Sequence, residues 1–511
     1  MKKLIYILIA CVLIGFSSCD DDFMETKSPD KLTSDNFWRN ANDAEAGMAS
    51  AYSHLECATD YWGFAEVKFP VELYPSDLVR IGGDAYNYED WLAIYNFNVN
   101  SANTQISSYW DIHYRGINFT NQVLENLMEM TEEQIDAAKK NELISEAHFL
   151  RGYYHFKLLL AWEKIVLRDK YPKSIPETHK ALSERSACWD FIITDFEEAT
   201  KNLPSSYDAQ NVGRATKWAA FAYLGKANLF RAGEDSANAT EYYKAAKAAL
   251  AEVVGSNNYS LAPNFISMFN GTNQNSSESV FELQLSNNTD NGAWFKFPHH
   301  RWLKPKGLGG WDEIAGSDFL LSEFKKEGKV ASDGRYDHRL YETLFFDDEY
   351  FNDSNNPRVY GYTFKDWWDY TSTAYDYTGF RKYLPASYDD LRAKSHGNNM
   401  PLMRYADVLL MYAEVLNELG ETSTAIPHIN NVRAIHGELP AMTGSDKAAV
   451  RAQIEHERIC EFAMEGSRFH DLRRWGKLNE TMAANGRTGV TDDSHFFPIP
   501  ESEVNSNNEI E

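Results

Sequence analysis

The sequence predicts a mainly α protein, a scaffold of paired antiparallel helices with a loop-rich lobe inserted between its two halves. Three observations lead there. From about 105 to 255, and again from about 400 to 480, apolar residues recur near every 3.6 positions, as on a helix buried along one face. Between about 261 and 399 that period disappears, while glycine, asparagine, proline and aromatic residues rise; only Ser279 to Leu285 reads as a strand. Bulk composition fits a folded chain, since 43% of the 511 residues are hydrophobic and 24% charged, which excludes a wholly disordered or collagen-like polymer. A formal charge of −25 argues against nucleic-acid partners, because a phosphate backbone meets a repulsive field.

The first element is a leader. Lys2 and Lys3 precede an unbroken apolar run from Leu4 to Gly15. As a helix this run reaches about 18 Å, against a hydrocarbon core of about 30 Å, so it suits export and is too short to span. Cys19 directly after Ser17-Ser18 resembles the lipobox of bacterial lipoproteins. That resemblance implies a signal peptide over 1–18, cleavage before Cys19 and acylation of its thiol, with no span in the mature chain. Several acyl chains on one cysteine hold a protein firmly, where a single chain does not. Residues 19–36 then read as an acidic tether. Its Asp20-Asp21-Asp22 resembles the tag that directs lipoproteins of the Bacteroidetes type to the outer face of the outer membrane. Three cysteines remain, Cys57, Cys188 and Cys460, an odd number with no metal-binding spacing, and they are expected to be buried small hydrophobes.

Residues 37–511 are expected to form one domain, with the helical scaffold over about 37–260 and 400–480 and the lobe over about 261–399. Ser34 or Asp35 is the expected cap of a first helix carrying Phe37, Ala41, Ala44, Met48 and Tyr52. Leu143, Ala147, Leu150, Tyr154, Leu158 and Ala161 form one apolar stripe, and Ala219–Arg231 with Tyr242–Val254 make a helix pair. Further on, Ala413 is followed twelve positions later by Ala425 and sixteen later by Ile429. These are the small-residue positions at which the helices of a tetratricopeptide hairpin touch, so the scaffold is expected to be tetratricopeptide-like, with degenerate earlier units.

Several stretches together are recognisable. Pro401-Leu402-Met403-Arg404-Tyr405-Ala406-Asp407, running on to Glu414, resembles a signature helix of the SusD-like (RagB/SusD) nutrient-binding lipoproteins. Glu457-Arg458, Glu465-Gly466, Arg468-Phe469 and Asp471 to Gly476 are similar to that family's C-terminal motif, and Phe497-Pro498-Ile499-Pro500 to its closing segment. Phe37-Trp38, Trp110 with Asn118 and Asn121, and Asp333-Gly334-Arg335 also fit. The resemblance implies a ligand-binding lid on a SusC-like TonB-dependent outer-membrane transporter. Most members capture oligosaccharides; some handle peptides or other nutrients.

Motifs for catalysis are largely missing. No GxSxG, HExxH, phosphate loop or GxGxxG occurs, and Ser322-Glu323-Phe324-Lys325 matches SxxK without the motifs that accompany it. No catalytic residue, metal or cofactor is therefore expected. His299-His300 lacks a third ligand, and Asp347-Asp348-Glu349 with Asn352 and Asp353 lacks the glycine and spacing of a calcium loop.

Aromatic loops are the stronger signal. A sugar ring presents an apolar face of C–H groups and a rim of hydroxyls, suited to flat aromatic rings flanked by polar side chains. One stretch runs Asp77, Arg80, Tyr86, Tyr88, Trp91, with Gly82-Gly83 allowing a tight turn. A second runs from Asn287 through Trp294, His299, His300 and Trp302 to Trp311. A third, Tyr360 to Tyr388, has eleven aromatics among 29 residues, including Trp367-Trp368; most of these are expected to anchor loops. The family resemblance favours the first two stretches. The expected platform is Trp91, Trp294 and Trp311, then Trp302 and Trp367, with Asp77, Arg80, Tyr86, Tyr88, Asn287 and His300 around it. Trp38, Trp110, Trp162, Trp218 and Trp475 are expected in the core, and Arg473 and Arg474 are expected to fix a helix end. The sequence reading is thus a surface glycan-binding lipoprotein, not an enzyme. A peptide binder on the same scaffold is the alternative, with a hydrolase and a pure protein-interaction scaffold behind it.

Overall fold

The computed structural model describes residues 37–56, 68–286, 300–368, 378–393 and 396–510. Cys19, the tether, Cys57, Asn287, Trp294 and His299 lie outside the described residues. The first helix that lies wholly within the described residues, α1, spans Ala41–Ser53 and carries Ala44, Met48 and Tyr52. Its cap is Asn40, whose side-chain oxygen accepts from the N–H groups of Asn42 and Asp43, so two first-turn donors are satisfied there; Ser34 and Asp35, the expected caps, lie outside the described residues.

Two short elements follow, α2 (Phe69–Leu73) and β1 (Val79–Ile81), then α3 (Glu89–Tyr95). The scaffold proper begins with α4 (Thr104–Glu129) and α5 (Ala137–Ala161), capped by Asn103 and Asp136. Every residue of the stripe from Leu143 to Ala161 is buried. Gly116 lets α4 approach α5, because a Cβ there would come within 2.6 Å of the Tyr154 ring. Helices α6 (Arg185–Ala199), α7 (Lys217–Glu234) and α8 (Ala239–Gly255) extend the layer of pairs.

The chain then enters the lobe through β2 (Ser279–Leu283), α9 (His300–Leu303), β3 (Ile314–Gly316), α10 (Asp318–Lys325), α11 (His338–Thr343) and β4 (Leu344–Phe345). It continues through α12 (Phe364–Trp367), β5 (Gly379–Phe380) and α13 (Tyr388–Arg392). The expectation of a single strand needs correction. An antiparallel sheet of order β1-β3-β5-β4 runs through this region, with Arg80 opposite Ala315 and Ala315 opposite Gly379. Strands of two or three residues are too short for an alternating pattern to register in sequence. One of them, β1, comes from far upstream.

The return to the scaffold is β6 (Met400–Arg404), which pairs with β2 so that the two ends of the lobe are stitched together. Then come α14 (Tyr405–Glu418), α15 (Thr422–His436), α16 (Lys447–Phe462), α17 (Arg468–Arg474) and α18 (Leu478–Ala484). Ala413, Ala425 and Ile429 are all fully buried, as the hairpin spacing requires. The closing segment docks on the end of α5, where Phe497 N–H donates to the Ala161 carbonyl and the Trp162 indole donates to the Pro498 carbonyl. Trp110, Trp162 and Trp218 are core residues, and Cys188 and Cys460 are buried thiols.

Candidate functional site

Four aromatic side chains from two distant stretches form one continuous run. The Tyr88 ring lies 4.6 Å from Trp91 between centres, Trp91 lies 4.6 Å from Trp302, and Trp302 lies 5.4 Å from Trp311, edge-on at 87°. Tyr88 caps α3 and Trp91 sits in its first turn. Trp302 lies in α9, and Trp311 is held across the following loop. There Trp311 N–H donates to the Arg301 carbonyl and Glu313 N–H to that of Trp302. Gly82 and Gly83 press the first stretch onto the second. Gly83 has φ +45°, and a Cβ on it would sit 2.3 Å from the Trp311 carbonyl oxygen. The Gly82 N–H donates to the Glu313 carbonyl at 3.0 Å.

Exposure divides this run into a face and a foundation. Tyr86 is 58% exposed and Tyr88 48%, whereas Trp91 is 3% and Trp302 5% exposed. The expectation that Trp91 and Trp302 stack on ligand is therefore corrected. Their indoles are covered by their neighbours, Trp91 also by Tyr74, and they support the rings above them. Trp302 keeps one polar feature, since its indole N–H is buried without an acceptor among the described residues. Trp311 is half-buried.

Two polar candidates are also corrected. Asp77 is 2% exposed, and Arg468 donates to both of its carboxylate oxygens at 2.9 Å, with Asn485 adding a third bond, so it is turned into the protein and out of reach of a sugar rim. His300 is fully buried; its Nε2 lies 2.7 Å from the Ala393 carbonyl and its ring 4.7 Å from that of His396. Arg80 is half-buried, donating to Thr378 and lying 3.5 Å from Asp318. Trp367 donates to the Val359 carbonyl and packs on Tyr362, and its own carbonyl oxygen lies against Gly307, so the third aromatic cluster meets the loop that follows α9.

Residues 236–511 match the model of the SusD family, and residues 22–229 match a model described as "Starch-binding associating with outer membrane". The chain belongs to the SusD family. A SusD-like protein of Bacteroides ovatus is 24% identical over 491 residues, covering 92% of this chain and 82% of that one. A solved SusD superfamily structure from Bacteroides vulgatus superposes with a TM-score of 0.78 at 26% identity, over 93% of this chain and 99% of its own. Surface glycan-binding protein A of Bacteroides thetaiotaomicron, solved with laminarihexaose, has the same fold, with a TM-score of 0.72 at 20% identity over 92% and 98% of the two chains. No helix among the described residues of this SusD-family chain is long and apolar enough to cross a membrane.

The charged residues of the SusD-like motifs point inward, which sequence reading did not foresee. Arg404 donates to Glu278 at 2.6 Å, to Glu461 at 2.7 Å and to Glu465 at 2.7 Å. Arg458 bridges Asp407 and Asp471, and Arg474 grips Glu414 through two bonds. These pairs lock β6, α14, α16 and α17 together. Arg473 donates to the carbonyls of Leu160 and His495, as a helix-end clamp should. Among the described residues two clusters have metal-ligand chemistry, Glu278–His436–Glu461 and Glu327–His456–Glu457, but Arg404, Arg339 and Arg433 already neutralise their carboxylates. Against the burial that would raise it, Lys157 and Lys68 bring the Glu72 carboxyl down to about 2. Ser322 donates to the Phe319 carbonyl, while Lys325 lies over the rings of Tyr336 and Phe346, so the SxxK pair forms no nucleophile and base.

Proposed function

We propose that this protein is a surface-exposed lipoprotein that captures oligosaccharide or polysaccharide and delivers it, unaltered, to a partner SusC-like TonB-dependent outer-membrane transporter. The observation that carries this reading is the aromatic run, with Tyr88 exposed, Trp311 half-exposed and two buried indoles holding them in place, and with the exposed Tyr86 two residues before Tyr88. Rigid rings with a fixed spacing bury the apolar face of a pyranose at little entropic cost. Family membership supports it, as does the laminarihexaose complex of the relative described above. For the anchor, the support is the lipobox-like Ser17-Ser18-Cys19 and the acidic tag after it.

Affinity gel electrophoresis of the mature protein across soluble plant, fungal and host polysaccharides tests the binding step. Retardation by at least one polymer, without release of smaller products, is the expected result. Product release from purified protein would make it a hydrolase, and no retardation anywhere would favour the peptide-binding alternative.

A further inference from the structure

Tyr88 and Trp91 belong to the start of α3. A separate cavity of about 710 Å³ opens at its other end, lined by Ile94, Phe97 and Val99 together with the closing segment. That volume falls within the range of about 300–1,000 Å³ usual for ligand pockets. Leu182, Phe497 and Ile499 complete an apolar floor of buried and half-buried side chains. Glu163, Asp492 and Asp493 also line the cavity, and all three are exposed, so they form its edge.

The walls are fixed. Phe97 keeps φ at +59°, a left-handed conformation that is costly for a bulky side chain and persists only where the surroundings impose it. Here Gly489 packs so closely on the Asn96 carbonyl oxygen that a Cβ would overlap it, and the Arg487 guanidinium lies over the Phe97 ring at 5.1 Å. In the closing segment, Asn479 donates to Asp492 at 2.7 Å, while its side-chain oxygen lies 2.8 Å from Nε2 of His495.

Charged groups around the cavity divide by position. Among the described residues Lys164 is the only lysine or arginine that lines it, and its ammonium is 2.6 Å from Glu184. Three guanidinium groups lie against the rings of Phe496 and Phe97 without lining the cavity. Of these, Arg185 holds Glu234 through two bonds, Arg473 donates to the carbonyls of Leu160 and His495, and Arg487 to those of Ser76 and Tyr74. Burial holds the His495 imidazole below its ordinary value, so it adds no charge at pH 7. A guest in the cavity therefore meets apolar groups ringed by three carboxylates.

We propose that this cavity is a docking site for a basic segment of a partner protein, with an apolar side chain filling the floor and flanking Lys or Arg side chains meeting Glu163, Asp492 and Asp493. The inference stands apart from the glycan-binding reading. In a chain of formal charge −25 an acidic edge alone says little; its position around an apolar floor specifies the guest. An acidic segment would be repelled, and a purely polar one would leave the floor unfilled. Guanidinium groups already lie over Phe496 and Phe97, which takes stacking surface from a sugar ring, whereas an aliphatic or aromatic side chain packs on ring edges as well.

Titration calorimetry on the purified full chain tests this with three peptides, each acetylated and amidated to mimic an internal segment: Lys-Leu-Phe-Lys, Glu-Leu-Phe-Glu and Lys-Ser-Ser-Lys. The first is expected to bind at least about tenfold more tightly than the other two. Its affinity should fall several-fold between about 20 and 300 mM salt, as screening shortens the reach of the carboxylates. The double variant Glu163→Gln with Asp493→Asn should weaken it about fivefold or more. Both positions are exposed, and an unchanged urea midpoint would show that the fold is kept. No binding of Lys-Leu-Phe-Lys at about 1 mM would overturn the proposal. Equal binding of the acidic peptide would overturn the role of the carboxylates, and equal binding of the serine peptide that of the apolar floor. Full affinity in the folded double variant would place the peptide elsewhere and overturn the assignment of this cavity.

Discussion

The indole of Trp91 lies 4.6 Å from that of Trp302, ring centre to ring centre, and this contact joins α3 to α9. Both rings are buried, so the two stretches meet through a core contact while their outer rings, Tyr88 and Trp311, remain accessible. A division of labour follows. The inner pair sets the position of the outer pair.

Replacing an inner ring should therefore cost stability first. Trp91→Ala removes a fully packed indole and is expected to destabilise the lobe by about 3–5 kcal/mol. Tyr88→Ala, at a half-exposed position, is expected to cost about 1 kcal/mol or less while reducing glycan retention. Chemical denaturation alongside affinity electrophoresis checks both; a Tyr88→Ala variant with unchanged retention would remove Tyr88 from the binding face.

The pair Asp77–Arg468 gives a second test. Arg468→Met strands a buried carboxylate and should destabilise the protein by roughly 3–5 kcal/mol. Asp77→Asn should likewise show its effect in the urea midpoint. Lost glycan binding in Asp77→Asn at unchanged stability would instead return Asp77 to the ligand site.

Acid sensitivity is expected at Glu72. Its folded carboxyl sits near 2 because Lys157 and Lys68 outweigh the effect of burial, against an ordinary value of 4.5. A group lowered in this way contributes stability above pH 4.5 and loses it as the pH falls from 4.5 toward 2. The contribution is on the order of 3 kcal/mol. Denaturant midpoints measured between pH 7 and pH 3 should fall less steeply in Glu72→Gln than in the parent.

Backbone fit at Gly83 can be tested as well. Alanine there meets both an unfavourable φ of +45° and the Trp311 carbonyl oxygen. Gly83→Ala is expected to lower stability by about 1–3 kcal/mol and to weaken glycan retention, since the first stretch must lift from the second. Thermal unfolding and electrophoresis on the same variant are the readouts.

Membrane attachment is a separate matter, at Cys19. Cys19→Ser should release the protein from the membrane fraction, scored by fractionation and immunoblotting. Persistent retention without the transporter would count against the lipid anchor.

Much of the helical scaffold was legible in the sequence. The stripe from Leu143 to Ala161 and the Ala413–Ala425–Ile429 spacing describe contacts along one helix or between chain neighbours, and such contacts repeat with the helical period. The aromatic enrichment around Tyr88 and Trp302 was equally plain in composition. Which rings face water was not. Trp91 and Tyr88 are three positions apart on one helix turn, and only the arrival of Trp302 from a distant stretch covers the first and leaves the second open.

Residues close together in the chain specified the helices and the family motifs, because helical period and motif spacing are both local. Only tertiary structure decided that Asp77 belongs to Arg468, that β1 joins a sheet with β3, and that the buried Lys304 ammonium bonds the Leu391 carbonyl. Each of these depends on pairing groups far apart in sequence, where burial and charge, not local propensity, select the partner.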